Sequence, residues 1–190
     1  VDAEHVVGVH LNMLITRPGG DPSGLTEADF ERLAGHDAFR EKSGYAQIQG
    51  TRPHTPAYGL HDSPVGQLAW IAEKFKEWTD STDRPEDAVD RDLLLTNVSV
   101  YWFTGTAGSS ARLYKESAAT WGSRVTPSTT PTGVAVFPRE ITLPVRRIAE
   151  RTDNITRWTE FDRGGHFAAM EQPALLAEDV RAFFLGVQGR

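Results

Sequence analysis

The sequence contains no cysteine among its 190 residues. That absence excludes disulfides, thiolate metal sites, iron–sulfur clusters and a cysteine nucleophile, and it leaves the redox compartment open. Long apolar runs are missing too: no stretch approaches the roughly 20 residues that a membrane-spanning helix needs. Positive charge is in deficit, with 20 Lys+Arg against 26 Asp+Glu and a formal charge of −6. Such a balance argues against nucleic acid or an anionic membrane as a partner, because either requires a positive field. No phosphate-cradling loop, dinucleotide fingerprint or Gly-x-Ser-x-Gly elbow occurs. The start, Val1-Asp2-Ala3-Glu4-His5, has neither a basic segment leading into an apolar run nor an initiator Met, so the chain reads as cut from something longer.

What is present is an ordinary globular composition, 39 % apolar with 17 Gly and 11 Pro. Val6 to Leu11 is a short β-branched run, predicted as a strand buried on both faces. Pro18 to Pro22 interrupts regular structure. Thr26 should cap a helix carrying Phe30 and Leu33, which Gly35 would end. Residues 44–63 read as loop-rich, with Pro53, Pro56 and Gly59. The clearest helix opens at Ser63-Pro64, with Val65, Leu68, Ala72, Phe75 and Trp78 as its apolar stripe. Residues 79–90 read as an exposed linker. A second helical stretch runs from Asp92 to about Tyr114, with a break expected at Gly105 or Gly108. Gly133 to Phe137 and Asn154 to Phe161 read as further strands, and Pro173 opens an amphipathic helix bearing Leu176, Val180, Phe183 and Phe184. This alternation predicts an α/β architecture with parallel strands, whose ligands lie beyond the carboxyl ends of the strands.

Two ionisable residues fall at such ends. Glu140 follows the strand ending at Phe137, and His166 follows the strand ending near Phe161. A carboxylate bonded to one imidazole nitrogen fixes the tautomer and leaves the other nitrogen to accept a proton. Gly164 and Gly165 would let the backbone turn sharply before the ring. From spacing alone, a surface glutamate and a turn histidine remain the alternative. The other histidines lack ligand-type spacing: His5 and His10 should point to opposite faces of one strand, His54 and His61 flank a Pro/Gly loop, and His36 stands alone, so no metal site is expected. Trp70, Trp78 and Trp102 are read as packing residues.

Five segments carry more than composition does. They are Gly44 to Gln49, Gly59 to Gly66, Tyr101 to Glu116, Phe137 to Glu140, and Arg163 to Ala169. In their order they resemble the C-terminal half of a microsomal-type epoxide hydrolase of the soluble bacterial kind, a member of the α/β-hydrolase superfamily, and the resemblance runs almost end to end. It implies a hydrolase core with a mainly helical cap inserted after the sixth strand: residues 1–18 would hold that strand, 19–125 the cap, and 126–190 the last two strands and helices. It further implies that Tyr45 and Tyr114 protonate the epoxide oxygen, that Glu140 is the acid partner and that His166 is the base that activates water, all four facing one cavity, with no cofactor. Tyr58 and Tyr101 are left as packing residues.

The pattern departs from that family at one place. The Gly-Gly-Asp-Trp-Gly segment that holds the nucleophile and the His-Gly-Trp-Pro segment of the oxyanion hole do not occur, and Asp2, Asp21 and Asp62 are wrongly placed to substitute. The expected partners are therefore a hydrophobic epoxide, water and an N-terminal half that supplies the attacking aspartate, with a homodimer left open; neither nucleic acid nor membrane is expected, and a cytoplasmic location is expected by default. A non-catalytic fragment or binding module, or another hydrolase of the superfamily such as a dehalogenase or esterase, is the competing reading.

Overall fold

Three parallel strands organise the half of the chain that carries Glu140 and His166, in the order β1 (Val9–Leu11), β2 (Ser128–Val136) and β3 (Asp153–Glu160). The computed structural model describes residues 5–17, 19, 21–118 and 127–188. Asp2 and the expected end of the cap at residue 125 lie outside the described residues. The chain divides into two units, one made of Val1–Phe39 and Arg124–Arg190, the other of Arg40–Ser123.

In the first unit β2 is central. Its side chains alternate between two cores, as a period of two requires. Val134 and Val136 pack with Leu14 and Ala149 on one face, while Ala135 and Phe137 pack with Ala168 on the other. Phe137 is fully buried and stacks on Phe161, with ring centroids 4.6 Å apart. Burial of a phenyl group of this kind stabilises by roughly 1.5–3 kcal/mol. β2 starts five residues earlier than predicted and contains Pro131. The missing N–H is tolerated because the register with β3 shifts between Ser128 and Pro131. β1 is shorter than its apolar run suggested, and its three residues are half-buried rather than enclosed on both faces. Among the described residues it pairs only with β2, as an edge strand does.

Helix α1 (Glu27–Glu41) opens on a reciprocal cap: the Asp29 amide donates to Thr26 Oγ1 at 3.2 Å, and the Thr26 amide donates to Asp29 Oδ2 at 2.9 Å. Gly35 does not end it, since the residues that follow sustain the helix and no left-handed φ occurs there. After β2 come α7 (Arg146–Ala149), β3, α8 (Ala168–Glu171) and α9 (Pro173–Gln188).

The second unit is helical throughout its regular elements: α2 (Gly44–Thr51), α3 (His54–Asp62), α4 (Pro64–Trp78), a 3-10 turn (Pro85–Asp87), α5 (Arg91–Thr104) and α6 (Ala107–Ser117). The loop expected over 44–63 is therefore two helices. Pro53 sits at the cap of α3 and Pro56 in its first turn, where a missing N–H breaks no intrahelical bond. α4 begins as predicted, with Ser63 Oγ accepting from the Gly66 amide at 3.0 Å. Its buried face follows the predicted stripe only in part: Phe75 is buried as expected, but Val65 is exposed, and Gln67 and Lys74 are buried as well. The 79–90 linker is also less exposed than expected, because Thr79 and Val89 are buried. The expected break between the last two helices falls at Gly105, whose φ of 63° caps α5. No helix among the described residues is long and apolar enough to cross a membrane.

Candidate active site

The pairing of β2 with β3 continues past the strand ends. The Phe161 amide donates to Val136 O at 2.9 Å, and Arg139 forms an isolated parallel bridge with Gly165 in which the Arg139 amide donates to Gly164 O at 3.1 Å. The next residue on each side is Glu140 and His166. Two loops leaving adjacent parallel strands are thus held in step, and their side chains meet: His166 Nδ1 lies 2.6 Å from Glu140 Oε1.

The Glu140 carboxylate is almost wholly enclosed, with a side-chain exposure of 1 %, against 21 % for His166. Oε1 also accepts from the Ile141 amide at 2.8 Å, and Oε2 has no hydrogen-bond partner among the described residues. An ionised carboxylate can only accept, so Nδ1 carries the proton and Nε2 is the basic nitrogen. The histidine turn has its own supports. Gly164 adopts φ 95°, and a Cβ there would stand 2.9 Å from both Gln172 Cγ and Phe137 Cδ1. Downstream, the Phe167 amide donates to Glu171 Oε1 at 3.1 Å.

In the helical unit, α2 presents Tyr45 and α6 presents Tyr114, and these two helices pack on each other. The two rings meet edge to face with centroids 5.8 Å apart and planes at 84°. Burial pushes the Tyr45 phenol well above the ordinary tyrosine value, and the hydroxyl contact with Tyr114 adds to the effect. Burial also raises Tyr114, opposed by a hydrogen bond with the side chain of Gln49, one turn beyond Tyr45 on α2. Both phenols are therefore held protonated at neutral pH. Tyr58 is exposed.

The structure also supplies partners that sequence reasoning missed. Gln49 carries no local signal, because an isolated glutamine on a short helix looks like surface. His10, set aside because it should face away from His5, places Nε2 2.8 Å from Asp179 Oδ2, and Asp179 Oδ1 accepts from Arg157 Nε at 2.7 Å and from Thr159 Oγ1 at 2.6 Å. This network ties α9 to β1 and β3, the two strands that flank β2. Asp179 sits on the apolar face of α9, four residues before Phe183, and that misplaced charge was the readable clue. His5 lies outside β1, so the expected opposition of His5 and His10 across one strand does not arise. No cluster of three metal-ligating side chains occurs among the described residues.

No family model matches the chain. It is 47 % identical over 184 residues to a Stigmatella aurantiaca protein named "Putative epoxide hydrolase", covering 94 % of this chain and 41 % of that one. It is 38 % identical over 211 residues to epoxide hydrolase 1 of Oryctolagus cuniculus, covering 94 % and 46 % respectively. Among solved structures, the Aspergillus niger epoxide hydrolase superposes with a TM-score of 0.81 at 30 % identity, over 98 % of this chain and 48 % of the other. The juvenile hormone epoxide hydrolase of Bombyx mori gives a TM-score of 0.80 at 27 % identity, over 97 % and 50 %. The chain thus spans half or less of the length of these relatives.

Proposed function

Because the homologues of this chain are epoxide hydrolases, and the chain carries the C-terminal half of their α/β-hydrolase fold with its helical cap, we propose that it supplies the acid–base half of an enzyme that adds water to a hydrophobic epoxide. The observation that carries this reading is the Tyr45–Tyr114 pair, two half-buried phenols brought edge to face from separate helices. A His–acid pair serves many hydrolases of the superfamily. Two protonated phenols answer a need specific to epoxides: the leaving oxygen becomes an alkoxide still tethered to the substrate, and it must receive a proton as the C–O bond breaks. A departing halide has no such need, which disfavours a dehalogenase.

In the first step an aspartate carboxylate attacks one ring carbon, a C–O ester bond forms, and the ring C–O bond breaks while a tyrosine hydroxyl shares its proton with the oxygen. In the second step His166 Nε2 takes a proton from water, the resulting hydroxide attacks the ester carbonyl, and the diol leaves as the carboxylate is regenerated; the imidazolium then loses its proton as the phenol regains the one it gave up. Glu140 holds the imidazole's tautomer and stabilises its positive charge. The residue segment between β1 and β2, read as a cap over 19–125, contributes the phenols. The attacking aspartate and the oxyanion donors belong to an N-terminal half, in keeping with the absence of their motifs from these 190 residues.

The test is diol formation from a hydrophobic aryl or alkyl epoxide. The chain is produced together with an N-terminal epoxide hydrolase half carrying a Gly-Gly-Asp-Trp-Gly segment. The reading requires turnover by the pair and none by this chain alone; a complemented pair that makes no diol refutes it.

A further inference from the structure

Lys74 occupies a position where a lysine is out of place. It lies on the buried face of α4 at 9 % exposure, beside Phe75 and Gln67. Lysine is rarely so enclosed, because its ammonium loses hydration that packing alone does not restore. The Lys74 ammonium is paired with the neighbouring Glu73 carboxylate. It also stands 4.6 Å from the centroid of the Tyr45 ring and 5.6 Å from that of Trp78. Those two rings are themselves in contact, 5.2 Å between centroids at 57°.

We infer that Lys74 is a positioning residue for Tyr45, its ammonium fixing the plane of that ring and easing release of the phenolic proton to substrate. The inference rests on the role given to Tyr45 above. A cation over a π face is attracted by the ring's negative quadrupole, by about 0.5–2 kcal/mol depending on desolvation. As the hydroxyl proton moves toward the epoxide oxygen, electron density builds on the oxygen and ring, so the attraction grows along the reaction. An interaction stronger in the transition state than in the ground state is one that accelerates chemistry. The ammonium acts against burial, Tyr114 and Glu77, all of which hold the phenolic proton in place. The charged and titratable groups set around the contact are Glu73 and Glu77 on α4, Tyr114 on α6 and, acting on Tyr114, Tyr101 on α5.

The experiment uses the full 190-residue chain made with ring-fluorinated tyrosine, whose electron-poor phenol ionises at a pH the fold survives. The Tyr45 fluorine resonance is assigned by its loss in Tyr45→Phe. In Lys74→Met and Lys74→Gln the titration midpoint of that resonance is expected to rise by about one pH unit, the shift that a contact of this strength commands. Lys74→Arg keeps the charge and should hold the midpoint near that of the parent chain, which a purely space-filling role would not predict. Equal midpoints in the parent and in folded neutral variants overturn the inference. So does unfolding of both neutral variants, judged by circular dichroism, while Lys74→Arg remains folded, because the lysine is then structural. The readout needs no epoxide, so a complemented enzyme that forms no diol refutes the proposed function without bearing on this result.

Discussion

His166 Nδ1 and Glu140 Oε1 lie 2.6 Å apart although 26 residues separate them in sequence. Their meeting is a consequence of register. The bridge between Arg139 and Gly165 prolongs the pairing of β2 with β3, and each loop then contributes its next side chain to the same place. The acid is enclosed and the base is partly open, the order expected of a carboxylate that orients and an imidazole that meets water.

His166→Gln should separate the two chemical steps. In the complemented enzyme, ester formation continues while ester hydrolysis falls by about 10²–10⁴, the span typical of a lost general base. Intact-mass measurement of the aspartate-bearing half should then show a substrate adduct that the parent enzyme does not accumulate. Turnover at the parental rate would remove His166 from the mechanism.

In the proposed mechanism the phenols act in the other step. Tyr45→Phe and Tyr114→Phe should each slow ester formation by about 10–10² and the double variant by more, with hydrolysis of preformed ester unchanged. Because both phenols are raised, they stay protonated through neutral and mildly alkaline pH. Single-turnover rates of ester formation should therefore hold level past the pH at which a free tyrosine would ionise, and fall only above it. A decline centred at the ordinary tyrosine value contradicts the assignment.

Much of this site was readable in the sequence, and what was not has physical causes. Glu140 and His166 could be placed because each follows a strand bounded by Pro138 or by Gly164 and Gly165, and such punctuation survives in one dimension. Tyr45 and Tyr114 required the resemblance, since nothing local distinguishes them from Tyr58, which is exposed. Helices α2 and α3 were hidden because proline was read as a breaker, whereas at a cap or in a first turn it costs nothing. Lys74 and Asp179 went unnoticed for a related reason: apolar periodicity marks a buried face by its hydrophobic members and is blind to a charge seated among them.

The buried Asp179 predicts how the sheet unit responds to acid. Burial works to raise its pKa, but hydrogen bonds from Arg157, Thr159 and His10 outweigh it, and the carboxyl is held below the ordinary value. A carboxyl lowered in the folded state contributes stability that is present above its unfolded pKa of about 4 and is lost as pH falls through the folded value. Resistance to urea should accordingly weaken on acidification below about pH 4 in the parent chain. Asp179→Asn should cost about 2 kcal/mol near neutrality and flatten that dependence, because it leaves Arg157 without its counter-charge and weakens the hydrogen bond to His10.

Gly164 offers the sharpest link between backbone and chemistry. Its φ of 95° is outside what a side chain accepts readily, and an added Cβ would sit 2.9 Å from Phe137 Cδ1, an atom of a fully buried ring that cannot retreat. Gly164→Ala should thus destabilise the chain by about 1–3 kcal/mol through strain at the turn. The same displacement reaches His166 two residues on and spoils its contact with Glu140. Ester hydrolysis should then fall more than ester formation, although the variant touches neither reacting group. Thermal unfolding of the purified chain and single-turnover assays of the complemented enzyme measure the two effects separately. Equal losses in both steps would place the damage in the fold as a whole rather than in the aim of the imidazole.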